Sequence, residues 1–390
     1  MSLLFDNTEI AFKHKSNRDL KKARSLFKAF EFPSIVYFGP KLANLFLKMK
    51  LPIKGLIKKT IFHQFCGGET IKESNQFAKE LYKNGIGAIL DYSVEGEGTV
   101  ENFKKTFQEL KRVIDEAANK PEYPFAVFKS SGIGSFSVLA AKSANNDLYK
   151  EQQNQYLDLV ERIHFLCKHA HQNNVKLLID AEETWIQDAV DEIVYNNAKE
   201  FNRDDIIIYN TIQLYRKGMI EEINKQIDLA RKFGYKIGFK LVRGAYMEKE
   251  AERAQEMNYL NPIQDSKEDT DRDYNLALEL CFKNRDIVAV MAGTHNEKSC
   301  LLLASLIEDD NISKSDDRFW FAQLYGISDH ISFNLAYAGF NVAKYLPYGP
   351  VKEVLPYLSR RAQENSSVKG QSSRELSLIR KEIKRRKALK

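Results

Sequence analysis

From Gly85 onward the chain alternates short apolar runs with longer amphipathic segments. Eight runs recur, over residues 87–92, 124–129, 175–181, 206–213, 236–244, 287–293, 319–326 and 342–348. Each has about the length of a buried parallel strand. The intervals are long enough for crossover helices, as over 101–116, 152–171 and 219–233. Before Gly85 the spacing is helical. Leu20, Ala23, Leu26, Phe27 and Phe30 fall on one face, as do Leu42, Leu45, Phe46 and Met49, and Asn17-Arg18-Asp19 supplies a start signal. Strands alternating with helices predict an α/β fold with a parallel sheet, and eight of them predict closure into a (β/α)8 TIM-like barrel with extra N-terminal helices. A doubly wound open sheet is the alternative. The expected divisions are a helical segment over 1–84, the barrel over 85–370 and a basic C-terminal tail over 371–390.

Composition narrows this picture. Hydrophobic residues make up 43% of the 390, enough for a large core. The net charge of +6 is too mild to argue for nucleic acid. Cys66, Cys167, Cys281 and Cys300 are scattered, which argues against a zinc site or a disulfide framework and fits buried thiols in a reducing compartment. No stretch approaches the ~20 apolar residues of a membrane span. The first residues carry Asp6 and Glu9 and lack both a signal peptide's apolar stretch and the acid-free character of a transit peptide, so the expected location is cytoplasmic.

The runs end in polar residues: Asp91, Lys129, Asp180, Gln213, the pair Lys240 and Arg243, and Thr294-His295-Asn296. A closed barrel gathers the carboxyl ends of its strands on one face, where active sites lie. Strand ends meeting solvent would account for one or two such residues and poorly for six.

Three motifs carry candidate chemistry. In Tyr357-Leu358-Ser359-Arg360-Arg361-Ala362-Gln363-Glu364-Asn365, Tyr357, Arg360, Arg361 and Glu364 stand at i, i+3, i+4 and i+7, one helical face. Two guanidinium forks match a carboxylate, and the tyrosine ring could cover an apolar ligand body. A solvated Arg/Glu face is the other reading. In Lys240-Leu241-Val242-Arg243-Gly244-Ala245-Tyr246, two cations and a glycine end the fifth run, suited to an anionic, flat or phosphorylated ligand, or else forming a plain basic loop. In Ala292-Gly293-Thr294-His295-Asn296, backbone N–H groups with Thr294 and His295 could hold a phosphate, although a lone histidine is more often a structural hydrogen-bonder. There is no H-E-x-x-H, and no G-x-G-x-x-G opens a βαβ unit, so metal ligation and a Rossmann-held dinucleotide are both disfavoured.

With these residues together, the chain resembles proline dehydrogenase. The likeness runs through residues 90–96, the Lys129 run, Ile179-Asp180-Ala181-Glu182-Glu183, residues 240–246, Thr294-His295-Asn296, Tyr345-Leu346-Pro347-Tyr348-Gly349 and residues 357–365, in the family's order over about residues 85–370. The resemblance implies a distorted barrel with non-covalent FAD, oxidising L-proline to Δ1-pyrroline-5-carboxylate by hydride transfer from C5 to flavin N5, the first step of proline catabolism to glutamate. It implies that Arg360 and Arg361 pair with the proline carboxylate and that Lys129 assists. Tyr345, Tyr357 and Leu324 would wall the pyrrolidine ring, and Asp180 would hold the ion-pair network. Lys240 stands where the family often has arginine, near flavin N5, and lacks the fork geometry. Ala181, Gln213, Val242, Arg243, Gly244, Ala245, Thr294, His295, Asn296 and Glu364 would contact the FAD. A quinone is the implied electron acceptor, and a separate pyrroline-5-carboxylate dehydrogenase would take the product. Competing readings are a dehydrogenase of hydroxyproline or another cyclic amino acid, a different flavin-barrel oxidoreductase, and a silent barrel that binds a partner through its basic tail. That tail, over 381–390, is expected either to fray in solvent or to rest peripherally on anionic lipid at the inner face of the membrane.

Overall fold

The computed structural model describes residues 3–49, 52–94, 98–367 and 371–389. Glu95 and Gly96, which end the first of the resembling runs, and Lys390 of the tail lie outside them. Eight strands follow one another in chain order as a closed barrel: β1 (Ile86–Tyr92), β2 (Phe125–Lys129), β3 (Lys176–Asp180), β4 (Ile208–Gln213), β5 (Ile237–Val242), β6 (Val288–Gly293), β7 (Phe319–Leu324) and β8 (Val342–Tyr348). The open-sheet alternative is thereby excluded. Their near-continuous burial explains why they read as apolar runs rather than alternating ones.

Helices α1 (Thr8–Phe12), α2 (Asn17–Phe30), α3 (Pro33–Lys48), α4 (Lys54–Ile57), α5 (His63–Phe65) and α6 (Ile71–Tyr82) precede β1. Between β1 and β7 come α7 (Val100–Ala117), α8 (Phe136–Ser143), α9 (Lys150–Gln172), α10 (Thr184–Phe201), α11 (Met219–Phe233), α12 (Met247–Glu256), α13 (Lys267–Lys283) and α14 (Glu297–Asp309). The last three are α15 (Asp329–Tyr337), α16 (Leu355–Ser367) and α17 (Gln371–Ala388). Capping is local and legible: Ser16 and Asp19 form a reciprocal box at α2, and Thr70, Thr99, Ser266 and Asn296 cap α6, α7, α13 and α14.

The chain divides into two compact units. The larger, Gly96–Ala322, pairs β2 to β7 in parallel register, with Lys129 beside Asp180 and Gln213 beside Val242. The other joins Met1–Glu95 to Gln323–Lys390 and pairs β1 with β8, Ile86 to Tyr92 against Val342 to Tyr348. Its core gathers Phe12, Leu20, Phe27, Phe65, Val351, Val354, Leu358 and Ile379 from α1, α2, α5, the segment before α16, α16 and α17.

That second unit buries a charge cluster. Lys344 of β8 has no solvent exposure and donates from Nζ to Asp329 Oδ1 at 2.8 Å and to the Ile327 carbonyl at 2.7 Å. Lys15 Nζ stands 2.7 Å from the other carboxylate oxygen, and His14 stacks on Phe333 with centroids 3.9 Å apart. The two cations hold the Asp329 carboxyl far below its ordinary range although burial opposes them.

The C-terminal segment is helical, over Gln371–Ala388, with one face buried and Lys381, Lys384 and Lys387 exposed. α17 buries Leu376, Leu378 and Ile379. Two of its cations turn inward: Arg385 and Arg386 pair with the buried Glu382, and Arg386 also donates to the carbonyls of Phe12 and Lys15. Lys381 donates to the Asp6 carbonyl at 2.8 Å. The sequence shows a run of cations but not the acid and carbonyls that the fold brings to it.

Candidate active site

In the larger unit, parallel pairing sets the carboxyl ends of β2 to β6 at one rim. Lys129 ends β2, Asp180 ends β3 and Ala181 follows it, Gln213 ends β4, Lys240 and Val242 lie on β5, and Thr294, His295 and Asn296 follow β6. Lys240 Nζ donates to Asp180 Oδ1 at 2.6 Å, both side chains being nearly buried. β4 lies between their strands, so both must project into the barrel interior.

Gln213 donates from Nε2 to the Glu182 carbonyl at 2.8 Å, while its own Oε1 is buried without a hydrogen-bond partner. Glu182 is a functional candidate that reading the sequence did not single out. Its carboxylate accepts from the Ser131 N–H at 3.0 Å and from the Ser131 hydroxyl, and burial pushes its carboxyl up. The paired acids after β3 were its only signal.

Arg243 is held by three side chains. Nε donates to Asp271 Oδ1 at 2.6 Å, Nη1 to Thr294 Oγ1 at 2.7 Å and Nη2 to Ser299 Oγ at 2.9 Å, and the guanidinium lies over the Tyr274 ring. Thr294 Oγ1 also accepts from the Asn296 N–H, and Asn296 Oδ1 caps α14 by accepting from the Ser299 N–H. His295 is half-buried and Ala245 exposed. Gly244 has φ of +132°, and a Cβ there would stand 2.4 Å from the Tyr215 ring. The close approach that demands glycine is thus to a protein ring, which adds to the ligand approach expected from the sequence.

In the other unit, α16 presents Tyr357, Arg361 and Glu364 as one stripe. Arg361 Nη2 donates to Glu364 Oε1 at 2.5 Å, and its guanidinium lies 5.2 Å from the centre of the Tyr357 ring. Arg361 and Tyr357 are buried, and Arg361 Nε and the Tyr357 hydroxyl have no hydrogen-bond partner among the described residues. The solvated-face reading therefore fails for Arg361, while Arg360 is half-buried. Tyr345 is buried on β8, and Leu324 ends β7 half-buried. Buried donors left unpaired are rare in native proteins and mark where a ligand supplies the missing acceptor.

A family model described as proline dehydrogenase matches residues 75–374. The chain belongs to the proline dehydrogenase family. It is an oxidoreductase of that family. It is 33% identical to proline dehydrogenase 1, mitochondrial, of Dictyostelium discoideum, over 97% of this chain and 74% of that protein. It is 37% identical to the carbapenem antibiotics biosynthesis protein CarD of Pectobacterium carotovorum subsp. carotovorum, over 83% of each. It is also 30% identical to the hydroxyproline dehydrogenase of Xenopus laevis, over 96% and 88% respectively. Among solved structures, proline utilization A of Bdellovibrio bacteriovorus, inactivated by N-propargylglycine, superposes with a TM-score of 0.72 at 19% identity. That similarity covers 92% of this chain and 38% of the larger protein, and it speaks to the fold.

Members of the proline dehydrogenase family are flavoproteins, and the residues present fit a flavin. The buried Gln213 Oε1 lacks a donor, which a ring N–H of the isoalloxazine would provide. Lys240 places a cation in the barrel interior beside it in strand order. No helix of the described residues is long and apolar enough to cross a membrane.

Proposed function

We propose that this chain oxidises L-proline to Δ1-pyrroline-5-carboxylate with non-covalently bound FAD, the first step of proline catabolism. The observation that carries this reading is the α16 stripe: a buried guanidinium with a free Nε, and a buried phenol with a free hydroxyl one turn away. A carboxylate satisfies the guanidinium, and a small apolar ring fits against the tyrosine face. Arg360 and Arg361 take the proline carboxylate, and Lys129 assists. Tyr345, Tyr357 and Leu324 wall the ring.

FAD, when bound, supplies the two-electron acceptor; the chain's residues orient and supply charge. Asp180 fixes the Lys240 ammonium in the barrel interior, so positive charge is in place before electron density arrives. Gln213, Val242, Thr294 and His295 are proposed to hold the cofactor together with Ala181, Gly244, Ala245, Asn296 and Glu364. Arg243 is proposed to join them through its remaining Nη donors, since Asp271, Thr294 and Ser299 take three of its five N–H groups. The substrate amine must be neutral to lose electrons from its C–N bond, so turnover rises with pH.

The electrons pass to a quinone at the membrane, and the product goes to a separate pyrroline-5-carboxylate dehydrogenase. The visible spectrum of the purified protein tests the core of this reading. The flavin bands are expected and should bleach on adding L-proline without oxygen. Colourless protein that FAD does not reconstitute, or flavin bands indifferent to proline, would refute it.

A further inference from the structure

We infer that α3 is a lipid-docking element that seats the protein on an anionic bilayer surface. Among the described side chains of the helix, Val36 and Ala43 pack on the core that includes α1, α2 and α16. Its outer face carries Ile35, Phe38, Leu42, Leu45 and Met49 at alternating spacings of three and four, with Phe32 just before the helix. These six side chains are 48% to 61% exposed. Tyr37, whose ring meets that of Phe38, extends the patch at 56%. Single exposed apolar residues are ordinary, but a contiguous aromatic and aliphatic stripe of this length marks an interaction surface.

Charge decides what covers it. Residues 32–68 contain six lysines and no aspartate or glutamate, whereas 53 acids among 390 residues would place about five in such a stretch. Lys41 is exposed on the helix with its ammonium 3.8 Å from the centre of the Tyr37 ring, Lys59 is exposed, and Lys54 and Lys58 pair with Glu69 and Glu73, beyond the stretch. A second copy seated on the same face by two-fold symmetry would set lysines against lysines. A bilayer with anionic headgroups instead meets both features at once, acyl chains taking the stripe and phosphates the lysines. The sequence placed membrane contact in the C-terminal cations, of which Lys381, Arg385 and Arg386 are engaged with Asp6, Glu9, Glu382 and backbone carbonyls, while Lys384 and Lys387 are exposed.

The inference deepens the proposed delivery of electrons to a membrane quinone, and its test needs no turnover. The full chain is floated with vesicles of phosphatidylcholine alone and of phosphatidylcholine mixed with phosphatidylglycerol. The parent is expected to float with the mixed vesicles and to be released by high salt. Ile35→Ser/Phe38→Ser/Leu42→Ser should lower the bound fraction at least about tenfold, with unfolding temperature and proline turnover on a water-soluble dye unchanged. Lys41→Glu, which leaves the apolar face intact, should lower it by roughly tenfold as well. Lys384→Gln/Lys387→Gln on α17 should float like the parent. Flotation of the serine and charge-reversed variants at the parent's level, equal flotation on pure phosphatidylcholine, or a lipid-free dimer that the serine variant splits would each overturn the inference. A protein that floats as expected but is not reduced by proline would sink the catalytic reading alone.

Discussion

Lys240 Nζ meets Asp180 Oδ1 at 2.6 Å across an intervening strand, both groups nearly out of solvent. Removing one partner of such a pair leaves the other charge buried and uncompensated, which costs about 3–5 kcal/mol. Lys240→Met is expected to lose that much in urea unfolding of the flavin-free protein. Lys240→Met/Asp180→Asn should recover part of it. Strictly additive losses would show that the pair is not coupled.

Arg361→Met should raise KM for proline roughly 30- to 1000-fold, because truncating one partner of a buried charged contact costs about 2–4 kcal/mol and each 1.4 is tenfold. Flavin content should stay at the parent's level. Steady-state kinetics with the bound-flavin ratio decide between a carboxylate clamp and a cofactor ligand, and an unchanged KM removes Arg361 from the clamp.

Gly244→Ala combines a left-handed φ with a Cβ that would stand 2.4 Å from the Tyr215 ring. The backbone strain alone is worth about 1–3 kcal/mol. A lower Tm and weaker FAD retention are expected together, because the residue sits between Val242 and Ala245. Loss of FAD at an unchanged Tm would mean that ligand approach, rather than packing on Tyr215, sets the requirement.

Acid should weaken the unit that carries His14. Burial, with Lys15 and Lys344 nearby, brings the imidazole down from 6.5 to about 3. A folded pKa below the unfolded one contributes stability that is complete above about 6.5 and lost as pH falls toward 3. The slope is at most about 1.4 kcal/mol per pH unit. Asp329, held low by Lys15 and Lys344, adds a loss of the same sign below its ordinary carboxylate range. The measurement is Tm against pH from 7 to 4, and His14→Phe, which keeps a ring on Phe333, should flatten the upper part of the curve. An equally steep curve in the variant would exclude His14.

Tyr345 is buried on β8 and proposed to wall the substrate ring. A ring hydroxyl should crowd it, so kcat/KM is expected to favour proline over 4-hydroxyproline by about tenfold or more, and Tyr345→Ser should narrow the ratio. The similarity to a hydroxyproline dehydrogenase makes this comparison informative. Equal kcat/KM in the parent would remove the assigned role.

The barrel was legible because its strands are buried on both sides and so appear as uninterrupted apolar runs. The eighth matches at both ends, and the others differ by three residues or fewer at either end, where Pro124, Val175 and Gly244 leave the ladder. The α16 stripe was legible because four functional positions fall within two helical turns. Contacts between distant segments were not. Lys344 looks like any lysine in an apolar run until Asp329 and Lys15 are brought to it, and nothing near Gln213 in the chain announces the Glu182 carbonyl. At the C-terminus the sequence shows the cations but not the Glu382 carboxylate and the carbonyls that hold Arg385 and Arg386, and the helical spacing of α3 does not tell that Leu42, Leu45 and Met49 stay exposed.

The unit that joins the two chain ends also constrains synthesis. β1 pairs with β8, made about 250 residues later, and α1 and α2 wait longer still for α17. On the ribosome the first ninety or so residues therefore emerge long before Val351, Val354, Leu358 and Ile379, which share a core with Phe12, Phe27 and Phe65, have been made. A nascent chain stalled before α17 would be a natural client for chaperones.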